Sequence, residues 1–280
     1  MFRLFYSKNR FFICKCTIIS IQSILSLNLA CLVLTQINSL FFMDLTVLLI
    51  LVIGVFMGFY VQTVIGFAGS LIALPILLLG MQLPDAIAYI SIFYLFSSAF
   101  LITKEWKNIN KKIIFKLAIT SVIGVILGIL LLTFSKPILL KKGLGVFILL
   151  YVAYVLYGKK KIKLNKGGVI SFGVVAGFFS GVFSTGGPLY VICIENSVKD
   201  IKALRATMIG VLGLVTLTRI PALAVSGILK FSHLEMTLLV FPVFLFAQFL
   251  GKRTFIKINE TVFKKLLMTL LCVSGLILIV

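Results

Sequence analysis

Acidic residues are scarce in this chain. Its 280 residues include seven Asp and Glu, one histidine and one tryptophan. A metal centre needs several converging His, Cys or carboxylate ligands, and the sequence places no such cluster around the lone His233. A membrane proton relay or acid–base chemistry calls for paired carboxylates at depth. Asp44, Asp85, Glu105, Glu195, Asp200, Glu235 and Glu260 instead fall almost entirely at the ends of apolar runs, Glu195 being the best single candidate for a role. The five cysteines are odd in number and form no CxxC pair; Cys14 and Cys16 make a CxC. They read as unpaired thiols packed as small apolar groups. No Walker A motif is present, so any use of ATP needs another chain. An intramembrane enzyme finds no support in this inventory, and no cofactor or metal is expected.

Charge of either sign is also sparse, at 12% of residues against 61% hydrophobic, with a mean hydropathy of +1.22. A soluble domain carries about twice that charged share. The apolar runs are unbroken rather than alternating, which excludes a β-barrel. Backbone amides in lipid must pair within the segment, so the remaining solution is an all-α, polytopic helical membrane protein whose first partner is the lipid bilayer. The net charge of +20 invites a nucleic-acid partner. The basic residues sit in short clusters between apolar runs, where the positive-inside rule puts them, so no nucleic acid is expected. Trp106, beside one basic cluster, reads as an interface anchor.

Residues 1–42 differ from the rest, with Arg3, Lys8, Arg10 and Lys15 ahead of a moderately apolar stretch. Three readings stand: an extra span, a signal-like segment (Asn28 sits where a lipoprotein signal needs an aliphatic residue), or a mis-assigned start whose true beginning is Met43. From Asp44 the apolar runs are 44–63, 66–83, 86–103, 113–134, 143–158, 167–184, 186–198, 206–228, 234–250 and 263–280. A full crossing takes about 20 residues. Run 186–198 is too short, and run 66–83 is interrupted by Pro75 and Gly80, so the count is about eight full crossings and up to ten with broken or half spans. If every run crosses and the lysine-rich loop 159–166 is cytoplasmic, eighteen loop lysines and arginines lie inside, among them Lys199, Lys202 and Arg205. Four, Lys136, Lys141, Lys142 and Lys230, lie outside. That asymmetry supports the ten-run topology.

The chain also repeats itself. Gly54, Gly58 and Phe59 recur as Gly173, Gly177 and Phe178; later, Gly128 matches Gly251 and Lys142 matches Lys265. This divides it into a first repeat, 43–158, the basic loop 159–166, and a second repeat, 167–280. Five runs per half, an odd number, would set the halves in opposite orientations, and inverted repeats are a mark of secondary transporters. Matching positions carry Gly-rich interruptions: Gly66, Phe67, Ala68 and Gly69 with Pro75, and Ser184, Thr185, Gly186, Gly187 and Pro188. Glycine and proline together end one helix and start another. The new helix presents free N–H groups and a positive dipole end, a cradle for an anion. The alternatives are close packing through small residues or a plain kink. Polar residues within the spans are few: Gln62 and Thr63 before the first break, Ser184 and Thr185 at the second, then Thr207, Thr216, Thr218 and Arg219. Arg219, next to Pro221, is the one basic residue well inside an apolar run. It either serves function or snorkels to the outer interface.

These motifs resemble the TauE/SafE sulfite-exporter-like transporters, also called the toluene sulfonate uptake permease family, from about residue 44 to 280. The clearest segment runs from Gly177 through Gly181 to Gly186-Gly187-Pro188. Lys202-Ala-Leu-Arg205-Ala206-Thr207 resembles a basic stretch ending in Arg-Ala-Thr, and Thr218-Arg219-Ile220-Pro221 a position where lysine precedes proline. The chain departs from the pattern at Ala68, Ser70 and Ser184, where the family often has glycine. The resemblance implies carriage of small sulfur-containing or organic anions across the plasma membrane of a prokaryote. The expected substrate-binding residues are Gln62, Thr63, Gly66, Phe67, Gly69, Ser184, Thr185, Gly186, Gly187, Pro188, Thr207 and Arg219, with alternating access as the mechanism. A membrane subunit or channel-like partner is the alternative, and a homo-oligomer stays open.

Overall fold

The computed structural model describes residues 45–105, 109–157, 165–195, 198 and 200–257, and eight residues between 268 and 279. The chain divides into two units, Met1–Leu48 and Leu49–Val280, and the site described below lies in the second. The 1–42 segment with Cys14 and Cys16, Trp106, Lys199, Glu260, Lys265, most of loop 159–166 and most of run 263–280 lie outside the described residues.

Every described element is an α-helix. They are α1 Leu45–Ile65, α2 Gly69–Leu77, α3 Leu83–Glu105, α4 Lys111–Phe134, α5 Pro137–Tyr157, α6 Lys166–Phe183, α7 Gly187–Glu195, α8 Ile201–Val225 and α9 Phe231–Lys257. Six of them, α1, α3, α4, α5, α8 and α9, are long and apolar enough to cross a membrane, and α6 is a shorter apolar helix. The nine residues of α2 and of α7 extend only about 14 Å each, half of a hydrocarbon core. They are the two short runs expected from the sequence. Their lengths are equal, and Gly69 and Gly187 open them 118 positions apart. The following helices, opening at Leu83 and Ile201, keep that spacing.

Local chemistry sets several ends. Asn110 caps α4 through Ile113 N–H (3.3 Å), Asn165 caps α6 through Gly168 N–H (2.7 Å), and Asp200 caps α8 through Ala203 N–H (3.0 Å). Each side-chain oxygen satisfies one of the donors a helix start leaves unpaired. Pro75, read from the sequence as part of the first break, lies inside α2 instead. The chain breaks at 66–68, where Gly66 has φ 93°.

With little hydrophobic drive between helices in lipid, packing relies on small residues that let backbones touch. On α4, a Cβ at Gly124 would strike the Val174 carbonyl, and one at Gly128 the Phe178 carbonyl of α6. From the other side, a Cβ at Gly181 would sit 2.5 Å from the Val125 carbonyl. The same contact recurs between α9 and α1. A Cβ at Gly251 would lie 2.8 Å from the Tyr60 carbonyl and 2.8 Å from Thr63 Cβ. Tyr60 and Thr63 stand 118 positions before Phe178 and Gly181. Each half thus contributes a helix that packs on the broken helix of the other.

At the starts of α3 and α9, His233 lies 3.2 Å from Asp85 through Nε2, while its Nδ1 accepts from Lys230 N–H at 3.0 Å. An acceptor role for Nδ1 leaves the proton on Nε2, which donates to the carboxylate. The sequence does not announce this pair, because Asp85 is 148 positions away. Among the described residues no group of three or more His, Cys, Asp or Glu could hold a metal ion.

Candidate functional site

Both breaks are helical hairpins. From Gly66 the chain turns and α2 runs back along α1: Gly69 faces Gln62, Gly58 faces Ala73, Gly54 faces Leu77 and Gly80 faces Ile50. At the second break, Gly186 packs against Ala176 and Ser180, so α7 likewise returns along α6. Pro188 falls in the first turn of α7, where its missing N–H is not needed.

The turns share a backbone signature. Ala68 (φ 67°) and Ser184 (φ 58°) are the non-glycine residues with positive φ among those described, and each sits at one break. A Cβ in the left-handed region costs about 1–2 kcal/mol. Both are positions where the sequence departs from a glycine pattern, and glycine carries no such cost.

The hairpin tips meet. Ser70 Oγ donates to the Ser184 carbonyl at 2.6 Å. Phe67 packs its Cβ within 3.2 Å of where a Gly187 Cβ would be, so that contact admits only glycine without adjustment. Tyr94, from the middle of α3, completes the junction: its hydroxyl accepts from Ser70 N–H at 3.2 Å and lies 3.3 Å from Ser70 Oγ. That contact occupies one of the α2 N-terminal N–H groups expected to be free. Beneath the junction Phe59, Phe93, Tyr94 and Phe244 pack ring on ring at 5.3–5.7 Å.

Arg219 reaches this junction from α8. It is 2% exposed, so it does not snorkel. Nη1 donates to the Ser180 carbonyl (2.9 Å) and lies 3.3 Å from Ser180 Oγ, Nη2 lies 3.4 Å from Thr216 Oγ1, and the guanidinium carbon stands 5.8 Å from the Tyr94 ring centre. Arg219 Nε has no hydrogen-bond partner among the described residues. Neither do Ser184 Oγ, Thr185 Oγ1 or Gln62 Oε1, although these residues are at most 2% exposed. Orphaned buried polar atoms carry a penalty of about 1–3 kcal/mol each and call for a ligand or water. Among the described residues no Asp or Glu is buried, so the buried guanidinium has no carboxylate there. An isolated buried cation is strongly unfavourable and is stabilised by an incoming anion.

Of the residues expected from the sequence, Gly66, Phe67, Gly69, Ser184, Thr185, Gly186, Gly187, Pro188 and Arg219 belong to this junction. Gln62 borders it with its side-chain oxygen against Gly69. Thr63 joins a neighbouring polar cluster: its hydroxyl bonds Gln248 Oε1 at 2.8 Å, and Gln248 Nε2 donates to Ser97 Oγ at 2.6 Å. Thr207 stands apart, accepting from Asn110 N–H at 3.2 Å at the start of α4. Ser70 stands out in the sequence only as a departure from the family pattern, and Tyr94, Ser180, Ser97 and Gln248 not at all; single polar residues in apolar helices have no periodicity to mark them. Arg205, counted from the sequence among the inside loop charges, is instead 5% exposed.

A bundle of membrane-length helices with two broken hairpins meeting around a buried arginine defines a multi-pass membrane protein of the transporter type. The model of the Sulfite exporter TauE/SafE family matches residues 49–278, and the chain belongs to that family. No curated protein and no solved structure matches it.

Proposed function

We propose that this protein is a secondary transporter that moves a small anion (sulfite, a sulfonate or a related sulfur-containing or organic anion) across the plasma membrane of a prokaryote. One observation carries the reading: among the described residues Arg219, fully buried, holds an unpartnered Nε beside a junction where Ser184 Oγ and Thr185 Oγ1 also lack partners. The substrate replaces the missing counter-ion. Its oxygens accept from the Arg219 guanidinium and the two hydroxyls, and the opening turn of α7 adds its dipole.

The two repeats, 43–158 and 167–280, are inverted about the junction, with loop 159–166 on the cytoplasmic side. The α1–α2 hairpin then enters from one face and the α6–α7 hairpin from the other. The equal lengths of α2 and α7, and the recurrence of the Gly128 contact at Gly251, support this relation. Alternating access is the rocking of one half against the other around the fixed junction. Ser180 O accepts from Ser184 N–H at 3.0 Å as well as from Arg219, so the guanidinium can leave it for the anion without orphaning the carbonyl.

Flux of labelled sulfite and an aryl sulfonate into proteoliposomes tests this reading, with counterflow as the second arm. Flux stimulated by anion on the opposite side marks a carrier; flux without such stimulation marks a channel. Absence of flux for every anion tried favours a membrane subunit that works only with a partner.

A further inference from the structure

The helix that carries Arg219 carries a second buried arginine. Arg205 stands in the second turn of α8. Its Nη2 donates to the Thr63 carbonyl at 2.6 Å. Its Cγ lies 2.6 Å from where a Cβ of Gly66 would be. Thr63 belongs to the last turn of α1, whose carbonyls have no partner within the helix. The Gln62 carbonyl is taken by Gly66 N–H at 2.6 Å, and among the described residues no turn or loop N–H reaches the Thr63 carbonyl.

Arg219 makes the matching contact at the other break. It donates to Ser180 O, in the last turn of α6. One helix therefore places a guanidinium on the carbonyl end of each broken helix. Cations are favoured at such ends, where the helix dipole is negative. The two contacts differ in one respect. Ser180 O has a second donor in Ser184 N–H, whereas among the described residues no turn or loop N–H shares the Thr63 carbonyl with Arg205, whose side chain is wedged against Gly66.

We propose that Arg205 is a positioning residue for transport: it fixes the end of α1 and the shape of the turn at Gly66, so that α8 holds both breaks and moves them as one. The assignment of translocation to these breaks rests on the anion-carrier reading above. Arg205 does not contact the anion. It sets the geometry through which α8 couples the first break to the second.

The test uses the purified full-length chain with Arg205→Met, Arg205→Lys and Arg219→Ala. Two readouts are taken: amide hydrogen exchange at residues 66–70 and 184–187, and sulfite flux set beside sulfite affinity. Losing the carbonyl bond in Arg205→Met is expected to speed exchange at 66–70 about tenfold and leave 184–187 unchanged. Flux falls about tenfold while affinity stays within about twofold. Arg205→Lys, which keeps the charge and one donor but not the fork, recovers part of both. If Arg205→Met does not accumulate, Arg205→Lys alone carries the test through the same loss of protection at 66–70. Unchanged exchange at 66–70 overturns the proposal, as does an affinity loss as large as that of Arg219→Ala, which would place Arg205 on the anion. Should neither the wild type nor any variant bind or carry sulfite, an aryl sulfonate or a small carboxylate, the anion-carrier reading fails, and the exchange pattern still decides the positioning role.

Discussion

The hydroxyl of Ser70 donates to the carbonyl of Ser184 at 2.6 Å, joining two helix breaks 114 positions apart. The bond is buried and sits at the point where the two hairpins touch. Removing it leaves the Ser70 side with Tyr94 alone and takes a donor from a buried carbonyl. Ser70→Ala is expected to destabilise the protein by about 1–3 kcal/mol. Thermal unfolding in detergent checks this, and a midpoint equal to that of the wild type contradicts a bond of that weight.

Ala68 and Ser184 pay for left-handed backbone with their Cβ atoms. Ala68→Gly relieves the strain and adds freedom to the unfolded chain, and the first effect is the larger. A gain of about 1 kcal/mol is expected, seen as a raised unfolding midpoint. The valine substitution at the same place should lose stability, since a β-branched side chain tolerates that region least.

Gly128 and Gly251 make related contacts, one on α6 and one on α1. A valine at either site must displace backbone rather than a flexible side chain. Gly128→Val and Gly251→Val should each cost about 3 kcal/mol or more and sharply reduce folded yield. Size-exclusion profiles after matched expression measure the outcome. A well-folded Gly251→Val beside a lost Gly128→Val would break the parallel between the two halves.

Thr63, Gln248 and Ser97 tie α1, α9 and α3 together at depth. A double-mutant cycle of Thr63→Val with Gln248→Leu measures their coupling, because the hydroxyl's other contact, to the Phe59 carbonyl at 2.7 Å, is lost in both Thr63→Val arms. The expected coupling is about 1 kcal/mol. Strict additivity of the two losses would show that the pair does not interact in the membrane protein.

The parts of this architecture that the sequence made legible are those set by local rules. Apolar runs become helices because lipid leaves the backbone no other partner. The breaks at Gly66 and Gly187 could be found because turning a chain inside a membrane needs residues with special backbone freedom. Pro75 misled for the same reason: proline is a breaker on average, yet α2 accommodates it and the turn falls nine residues earlier, at Gly66. Tertiary partnerships were invisible. Tyr94 lies 24 positions from Ser70, Gln248 lies 185 from Thr63, and Arg205 lies 142 from the carbonyl it holds. Nothing periodic announces such pairs. Arg205 sits in a basic stretch that looks like a solvated loop, and only the start of α8 at Ile201 turns it inward.

The central claim is that the buried guanidinium of Arg219, which pairs with no carboxylate among the described residues, is the anion's seat. Equilibrium stabilisation measures this most directly, since a ligand that binds only the folded state raises stability by about 2.7 kcal/mol at one hundred times its dissociation constant. Purified wild type, Arg219→Lys and Arg219→Ala are heated across a series of sulfite and sulfonate concentrations at constant ionic strength. The account predicts a concentration-dependent rise in midpoint for the wild type, a weaker one for Arg219→Lys, which keeps the charge without the fork, and none for Arg219→Ala. An Arg219→Ala protein stabilised over the same concentration range as the wild type contradicts it.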